Sequence, residues 1–298
     1  MGKVLLSFSL CLEGLYPLLK RSFKAPAKIN LCLHVLGRRE NGYHEVAMAM
    51  QRVDLCDDIH IQLGGAPGIR VVCMGVELLP GEENITARAA RLFLEKTTID
   101  TGIDIEIKKY IPVAAGLGGG SSDAATVLLG LNEMLGRKLD GEQLSVLGGD
   151  LGADVPFFIF QQPAWATGIG TMLESLPVLP EVAYLLINPG IAVSTAAVYR
   201  SLQLTKGGEL ANLPRFSVVT KDDLCAALHN DLELVTLKQF PLIAEIKQKL
   251  LDQGALGALM SGSGATVFGV YTDFNTARRA AEILTAETGW WVSPVRPI

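Results

Sequence analysis

The sequence is poor in cations and in cysteine, and both shortages exclude classes of protein. Lysine and arginine together make up 26 of the 298 residues, against 31 acidic residues, so the net charge is −5. Proteins that bind nucleic acid usually carry a basic face, so we expect no nucleic-acid partner. The five cysteines are scattered without a Cys-x-x-Cys pair, which favours reduced thiols in the cytoplasm over disulfides or a zinc site.

The sequence also lacks repeats, low-complexity tracts and an apolar segment long enough to cross a membrane. Residues 4–12 are apolar, but Glu13 interrupts them and no clear signal-peptide cleavage site follows. We therefore expect no membrane partner and treat residues 1–22 as an N-terminal extension. Hydrophobic residues make up 49% of the chain, which favours a packed globular protein, and the length is enough for two domains.

A glycine cluster within residues 112–125 is the strongest chemical signal. Upstream, isoleucines alternate with polar residues as in a half-buried strand, and downstream the apolar residues have helical spacing. A glycine-rich link from a strand to a helix presents backbone N–H groups and the positive end of the helix dipole, which together bind phosphate. The residues concerned are Gly116, Gly118, Gly119, Gly120, Ser121, Ser122 and Asp123.

This loop differs from the common nucleotide-binding motifs. It lacks the Lys-Ser/Thr ending of a P-loop, its glycines do not fit Gly-x-Gly-x-x-Gly, and the chain has no protein-kinase motif. A connecting turn without a ligand is one alternative. A serine hydrolase that uses Ser122 is another, although its Gly-x-Ser-x-Gly elbow is incomplete. We predict a phosphate loop of another kind.

Two further stretches carry polar residues in unusual positions. On a predicted strand at residues 23–36, apolar side chains alternate with Lys28, Asn30 and His34, so we expect these three on one face. A solvated strand face is the simpler interpretation, and a binding site is the other. Asp154 lies between a Gly-Ala pair and a Val-Pro-Phe-Phe run, so we expect a function or a cation partner for it, and the alternative is an N-cap or turn aspartate.

The rest of the chain predicts alternating strands and helices, with a domain boundary where prolines flank a break at residues 177–180. An Asn-Gly pair at residues 41–42 predicts a tight turn, and residues 204–214 predict a polar loop. We expect strands near residues 45–54, 57–63, 69–74, 103–107, 182–187, 255–259, 267–271 and 290–295. We expect helices near residues 85–97, 122–135, 222–236, 241–253 and 274–287, with others beginning at Asp140 and Ser194.

Three separated segments, at residues 25–31, 112–125 and 260–266, resemble the three motifs of the GHMP kinases. Finer features at residues 42–45, 118–125 and 152–157 are similar to the branch of that family that acts on 4-diphosphocytidyl-2-C-methyl-D-erythritol. The resemblance runs from about residue 24 to the C terminus. It implies an α+β fold with an N-terminal domain like ribosomal protein S5 domain 2, which we place at residues 23–178, and a ferredoxin-like domain at residues 179–298.

The resemblance implies a small-molecule kinase of the non-mevalonate isoprenoid pathway. It would move the γ-phosphoryl group of ATP to the 2-hydroxyl of the cytidyl substrate, with Mg²⁺ bridging the phosphates. Asp154 would be the general base and Lys28 its cationic partner, both catalytic. We expect few direct protein ligands to the metal, and the sequence does not identify them.

The same resemblance implies which residues bind the two substrates. Tyr43 and Tyr199 would sandwich the cytosine, His44 would read its edge, and Asn30 would also face this substrate. Asn84 would contact the adenine of ATP. The loop residues at the ATP phosphates would be Pro112, Ala114, Gly116, Leu117, Gly118, Gly119, Gly120, Ser121 and Ser122.

Two other functions are compatible with the sequence. Another small-molecule GHMP kinase, such as a mevalonate-type enzyme, would need no stacking pair at Tyr43 and Tyr199. A nucleotide-binding regulator would bind ATP without turnover, and the intact Lys28 and Asp154 argue against it. We expect a monomer or a weak homodimer that acts on a small molecule.

Overall fold

The computed structural model describes residues 19–40, 42–75, 83–202 and 216–298. The apolar stretch at residues 4–12, Asn41 of the predicted Asn-Gly turn and the polar loop predicted at residues 204–214 lie outside this range. Within it, no helix combines the length and the apolar character that crossing a bilayer requires.

The strands and helices alternate along the chain and form two sheets with helices packed on them. The strands are β1 (Leu19–Arg38), β2 (His44–Gly65), β3 (Ile69–Met74), β4 (Gly102–Lys108), β5 (Ala164–Gly168), β6 (Met172–Ser175), β7 (Ala183–Asn188), β8 (His229–Asn230), β9 (Gly257–Met260), β10 (Val267–Tyr271) and β11 (Trp291–Val295). The helices are α1 (Ile85–Thr97), α2 (Gly119–Met134), α3 (Gly141–Leu151), α4 (Val155–Phe160), α5 (Thr195–Ser201), α6 (Lys221–Ala226), α7 (Glu233–Gln239), α8 (Leu242–Asp252) and α9 (Phe274–Thr288).

The first sheet is built around the long antiparallel pair of β1 and β2. Its strand order is β3-β4-β2-β1-β8, and β5 pairs with β2 and with β6. The two strands predicted at residues 45–54 and 57–63 are a single strand, β2, in which the register with β1 shifts opposite the step from Pro26 to Ala27. A bulge of this kind bends a strand without ending it, which explains why the sequence pattern breaks there.

A second bulge lies in β1 directly after Asn30. Asn30 pairs with Met50 but Cys32 pairs with Ala49, so one extra residue enters β1 and shifts the alternation of side chains. As a result, Leu33 rather than His34 lines the main cleft together with Lys28 and Asn30. The prediction that His34 shares their face is wrong, because His34 stacks instead on His229 of β8.

The helices that reach the cleft begin at recognisable residues. The helix predicted at residues 85–97 is confirmed as α1, capped by the Asn84 side chain. The side chains of Asp140 and Gln143 form a capping box at the start of α3, as the sequence predicts for Asp140. Helix α2 begins three residues before the predicted start, after Gly118 with a φ of 70°. The two serines of the glycine cluster therefore lie in its first turn, and the aspartate follows them.

The second sheet is antiparallel with the order β11-β7-β10-β9. Together with α8 and α9, which pack on it, it has the strand-helix-strand-strand-helix-strand order of a ferredoxin-like domain, as predicted. The single helix predicted at residues 222–236 is wrong. Helices α6 and α7 are separated there by β8, whose two residues pair with β1.

Buried apolar side chains join the two sheets. One cluster includes Ala27, Ile29 and Leu31 of β1 together with Leu186 of β7 and Phe268 of β10, all fully buried. Burying a large aliphatic or aromatic side chain contributes about 1.5–3 kcal/mol. The cleft between the two parts of the chain therefore has walls that are held by a shared core.

Candidate active site

A cleft of about 970 Å³ lies between the first sheet, the glycine loop and the residues that approach from the second part of the chain. Leu117 and Ser122 do not line it, because they are buried beneath the loop at 1% and 0% exposure. The other predicted site residues all line it. They are Lys28, Asn30, Tyr43, His44, Asn84, Pro112, Ala114, Gly116, Gly118, Gly119, Gly120, Ser121, Asp154 and Tyr199.

Lys28 and Asp154 form the charged pair of this cleft. Lys28 is only 4% exposed, and its Nζ lies 3.6 Å from Oδ2 of Asp154. The same Nζ donates a 2.6 Å hydrogen bond to Oδ1 of Asn30. Because Lys28 is buried, the interpretation as a solvated strand face is wrong. Asp154 occupies the N-cap position of α4 and lies in a turn, but its side chain makes no cap hydrogen bond. The expected cation partner is confirmed.

Backbone contacts fix this pair relative to two loops. The Lys28 N–H donates to the Leu117 carbonyl at 2.9 Å, which ties β1 to the glycine loop. The Ser261 hydroxyl donates to the Gly116 carbonyl at 2.9 Å and accepts from the Asn30 N–H at 3.3 Å. A Cβ on Gly116 would lie 2.1 Å from the Ser261 carbonyl oxygen, so this glycine serves the contact between the loops.

The next three glycines of the loop differ in what surrounds them. A Cβ on Gly118 would meet the Phe158 ring at 3.0 Å, and one on Gly119 would lie 3.1 Å from Ile111. At Gly120 the nearest atom is 4.0 Å away, on Ile85. Packing within the protein explains why Gly118 and Gly119 have no side chain. It does not explain Gly120, which lines the cleft.

Lys109 lines the cleft and was missed by the sequence analysis. It follows β4, and its Nζ donates to Oδ2 of Asp57 and, at 2.7 Å, to Oδ2 of Asp123. Asp57 is fully buried, and its Oδ1 accepts from two backbone N–H groups that follow Lys109, at 2.6 and 2.9 Å. Burial raises the pKa of Asp123 to about 7, while the charge of Lys109 opposes that rise.

Aromatic rings also line the cleft. Tyr43 is 57% exposed there, and the rings of His44 and Tyr199 lie 4.9 Å apart at an angle of 36°. Burial, and then the charge of Arg38, lower the pKa of His44, so its ring is neutral at pH 7. Burial, and then the charge of Asp154, raise the pKa of Tyr199, so its phenol stays protonated.

Two helices present their N-terminal residues to the cleft. Oδ1 of Asn84 caps α1 by accepting from the N–H and the hydroxyl of Thr86, at 2.9 and 2.8 Å. At the start of α5, the hydroxyls of Thr195 and Ser263 lie 2.7 Å apart, which joins this helix to the loop at residues 260–266. Neither hydroxyl is distinguished by the sequence, although Ser263 lies inside the segment 260–266.

Lys109 was not named because the features that identify its role are far apart in sequence. The lysine follows a predicted strand immediately before the glycine loop, which was the one local signal. Its partner Asp57 lies on β2, and its partner Asp123 lies on α2. The periodicity of a strand or helix cannot reveal that Lys109 contacts aspartates on two other elements.

Comparison with known proteins gives the family. Models described as the GHMP kinases N-terminal domain and the GHMP kinases C-terminal domain match residues 84–162 and 212–289. A 4-diphosphocytidyl-2-C-methyl-D-erythritol kinase from Syntrophotalea carbinolica is 59% identical over 93% of this chain and 99% of its own length. One from Geobacter sp. strain M21 is 54% identical over 94% of this chain and 99% of its own length.

A solved structure agrees with these relatives. The crystal structure of a 4-(cytidine 5'-diphospho)-2C-methyl-D-erythritol kinase superposes with a TM-score of 0.78 at 37% identity, covering 93% of this chain and 99% of that one. Identities of this size over nearly full lengths establish that this chain belongs to the same family as these proteins. The chain is therefore a small-molecule kinase of the GHMP superfamily, and it belongs to the family of 4-diphosphocytidyl-2-C-methyl-D-erythritol kinases.

Proposed function

We propose that this kinase transfers the γ-phosphoryl group of ATP to the 2-hydroxyl of 4-diphosphocytidyl-2-C-methyl-D-erythritol, a step of the non-mevalonate isoprenoid pathway. The observation that carries the proposal is the Lys28–Asp154 pair, 3.6 Å apart in a cleft with a glycine loop and a group of aromatic rings. One end of such a cleft suits phosphates and the other suits a flat base, so a hydroxyl between them would lie beside the pair.

Asp154 is the proposed general base. An alcohol becomes a good nucleophile when its proton has an acceptor, and a carboxylate within reach provides one. Nζ of Lys28, 3.6 Å from Oδ2 of Asp154, places a positive charge beside that carboxylate. Because Lys28 also donates to Asn30, its ammonium group is held in place and orients Asp154 toward the substrate. The loop amides then stabilise the charge of the transferring phosphoryl group.

Oxygen atoms near the loop suit a Mg²⁺ ion that binds together with ATP. Among the described residues, Oγ of Ser122 and Oδ1 of Asp123 are buried atoms without a hydrogen-bond partner. Hydroxyl and carboxylate oxygens are ligands that Mg²⁺ prefers, and Asp123 lines the cleft. Asp123 would hold the ion together with the phosphates. The ion would supply charge neutralisation to those phosphates.

Gly120 provides a test of the proposed phosphate site that does not disturb packing. The Gly120→Val variant should fold normally, because the nearest protein atom to a Cβ there is 4.0 Å away. A side chain at this position would occupy space that a phosphate needs. We expect the Kd for ATP, measured by calorimetry, to rise by about tenfold or more, which corresponds to about 1.4 kcal/mol.

The matched control for this variant is Gly149→Val. Gly149 also lies in a helix with nothing within 4 Å of a Cβ, but it is on α3 and outside the cleft. The control should bind ATP with unchanged affinity. Equal ATP affinity in both folded variants would remove Gly120 from the ATP site.

The cytidine end of the cleft gives a second test. We propose that Tyr43 stacks on cytosine and that the neutral ring of His44 offers one donor and one acceptor to the edge of the base. Removing a stacking aromatic costs about 1–3 kcal/mol per base. The Tyr43→Ala variant should therefore raise KM for the cytidyl substrate by about tenfold and leave KM for ATP unchanged in steady-state assays.

Tyr110→Ala is the control for the tyrosine test. Tyr110 is 43% exposed and lies outside the cleft, so its removal should change neither KM. If Tyr43→Ala raises the KM for ATP instead, the two subsites have been assigned the wrong way round.

A panel of alcohols tests the proposed substrate directly. Purified protein with ATP and Mg²⁺ should form ADP with the cytidyl substrate, and much more slowly with mevalonate or homoserine at equal concentration. Comparable turnover of mevalonate would favour the mevalonate-type alternative. ATP binding without any turnover would favour a regulator.

Three properties stay predictions. The domain limits at residues 22–23 and 178–179 are proposed from the resemblance, and β1 begins at Leu19, before the first of them. We also propose a monomer or a weak homodimer and a location in the cytoplasm. Light scattering across a range of protein concentrations would measure the oligomeric state.

A further inference from the structure

A cluster of two histidines and an aspartate lies outside the cleft, where β8 joins the edge of the first sheet. His34 is on β1, His229 is on β8, and Asp231 follows β8 directly. One nitrogen or oxygen atom from each residue lies within 4.8 Å of the others. None of the three lines the catalytic cleft, and the proposed reaction makes no use of them.

The side chains of this cluster are held in a defined arrangement. Oδ2 of Asp231 accepts a 2.7 Å hydrogen bond from the Val35 N–H, which fixes the carboxylate. Its Oδ1 lies 2.7 Å from Nε2 of His229. The rings of His34 and His229 are stacked with centroids 4.5 Å apart and planes only 17° from parallel. Because the lone pairs of the ring nitrogens lie in the ring planes, which are nearly parallel here, His229 must turn out of the stack before both rings can face one ion.

We propose that His34, His229 and Asp231 bind one divalent transition-metal ion of the kind that imidazole prefers, with Zn²⁺ as the natural probe. Ligand atoms at about 2.0–2.2 Å from such an ion lie about 3.4 Å from one another in tetrahedral geometry. The observed separations of up to 4.8 Å need a closure of little more than 1 Å. His229 is exposed, so rotation of its side chain can supply this closure and also take its ring out of the stack with His34.

The chemistry of the three groups suits this role. Burial lowers the pKa of His34, which favours the neutral ring that a metal requires. The hydrogen bond to Asp231 raises the pKa of His229, so an ion would replace the proton now shared by that pair. The carboxylate keeps its bond to the Val35 N–H and offers the other oxygen, and water would complete the coordination.

A bound ion would connect β8 to β1 at a position that matters for the cleft. Asn230 lies between two of the ligands, and its amide donates to the carbonyls of Met260 and Gly262, both at 2.8 Å. Gly262 lines the catalytic cleft. An ion at this joint would therefore stabilise the folded state and fix the strand that supports the loop at residues 260–266.

The test is titration of the full chain, under reducing conditions and without nucleotide, with ZnCl₂ in a calorimeter. We expect one ion per chain and a higher Tm in its presence. His229→Gln and His34→Gln should each weaken Zn²⁺ binding by at least about tenfold. His60→Gln removes a histidine outside the cluster, whose Nδ1 hydrogen-bonds to the Ser22 hydroxyl, and should leave the affinity unchanged.

The result decides between an ion site and a metal-free His–Asp hydrogen bond. Absence of Zn²⁺ binding to the unchanged chain overturns the proposal, as does weakening of less than about tenfold in His229→Gln. His229 is exposed, so that variant should fold, and its Tm without metal checks this. If His34→Gln fails to fold, His229→Gln alone decides. Characteristic absorption of bound Co²⁺ that is lost in His229→Gln would support the same site independently.

Discussion

Replacing Asp154 with asparagine should lower kcat by about 10²–10⁴-fold, the usual contribution of a positioned base. Asparagine keeps the shape of the side chain but cannot accept the proton of the substrate hydroxyl. Phosphoryl transfer through a loose transition state asks little of a base, so the loss should lie toward the lower end of that range. The measurement is single-turnover product formation with both substrates saturating, and both should still bind to within about tenfold.

The control for Asp154→Asn is Asp150→Asn. Asp150 is an exposed aspartate on α3, four residues earlier, and its replacement should leave kcat unchanged. A rate in Asp154→Asn equal to that of the unchanged chain would remove this residue from the mechanism.

The partner variant Lys28→Met shows whether the two residues act together. Lys28 is almost fully buried and is the cation beside Asp154, so its loss should damage the same chemical step. Residues that act as one unit give strongly non-additive effects. The double variant should therefore be little slower than the slower single variant, whereas additive losses would mean that Lys28 and Asp154 act independently.

Replacing Lys109 with methionine should destabilise the protein by about 3–5 kcal/mol, because it leaves buried carboxylates without their cation. Lys109 bonds to Asp57, which is fully buried, and to Asp123, which is 4% exposed. The free energy of unfolding from urea titration gives the measurement. Lys108→Met is the control, because Lys108 is exposed and lies over the Tyr110 ring, and it should unfold close to the unchanged chain.

The loss of unfolding free energy in Lys109→Met should also depend on pH. The pKa of Asp123 gives the direction of that dependence. Its pKa in the folded protein is already raised to about 7, above the usual value near 3.9 of an unfolded chain. Between these values the folded state holds more protons than the unfolded state, so stability falls as pH rises. Without Lys109 that pKa rises further, so the variant should be less destabilised at about pH 5.5 than at about pH 8. A pH-independent loss would mean that packing, rather than charge, explains the effect.

Local patterns in the sequence predicted many of the strands and helices, and most of the residues named as site candidates line one cleft. Cap residues such as Asn84 and Asp140 mark real helix starts because their side chains satisfy backbone N–H groups within the same turn. The glycine cluster identifies the loop because backbone geometry there is a local property. The match of several motifs to one family then connected Lys28 with Asp154, which no periodicity could have paired across the chain.

The failures occur where distant segments decide the structure. The extra residue in β1 beyond Asn30 reverses the alternation, so His34 turns to His229 and Leu33 reaches the cleft. The helix predicted at residues 222–236 is interrupted because residues 229–230 pair with β1. Helical spacing cannot reveal a strand partner almost two hundred residues away. Lys109 was missed for the same reason, because its role depends on two carboxylates from other elements.

The most direct test of the proposed function is the position of the phosphoryl group on the product. Purified protein, ATP, Mg²⁺ and 4-diphosphocytidyl-2-C-methyl-D-erythritol should give ADP and one new phosphomonoester, observed by phosphorus NMR. Carbon 2 carries the methyl group and no hydrogen, so phosphorus on its oxygen should give a signal without splitting by a proton three bonds away. A doublet or triplet, which would place the group on oxygen 3 or 1, or no new phosphomonoester at all, would contradict the account.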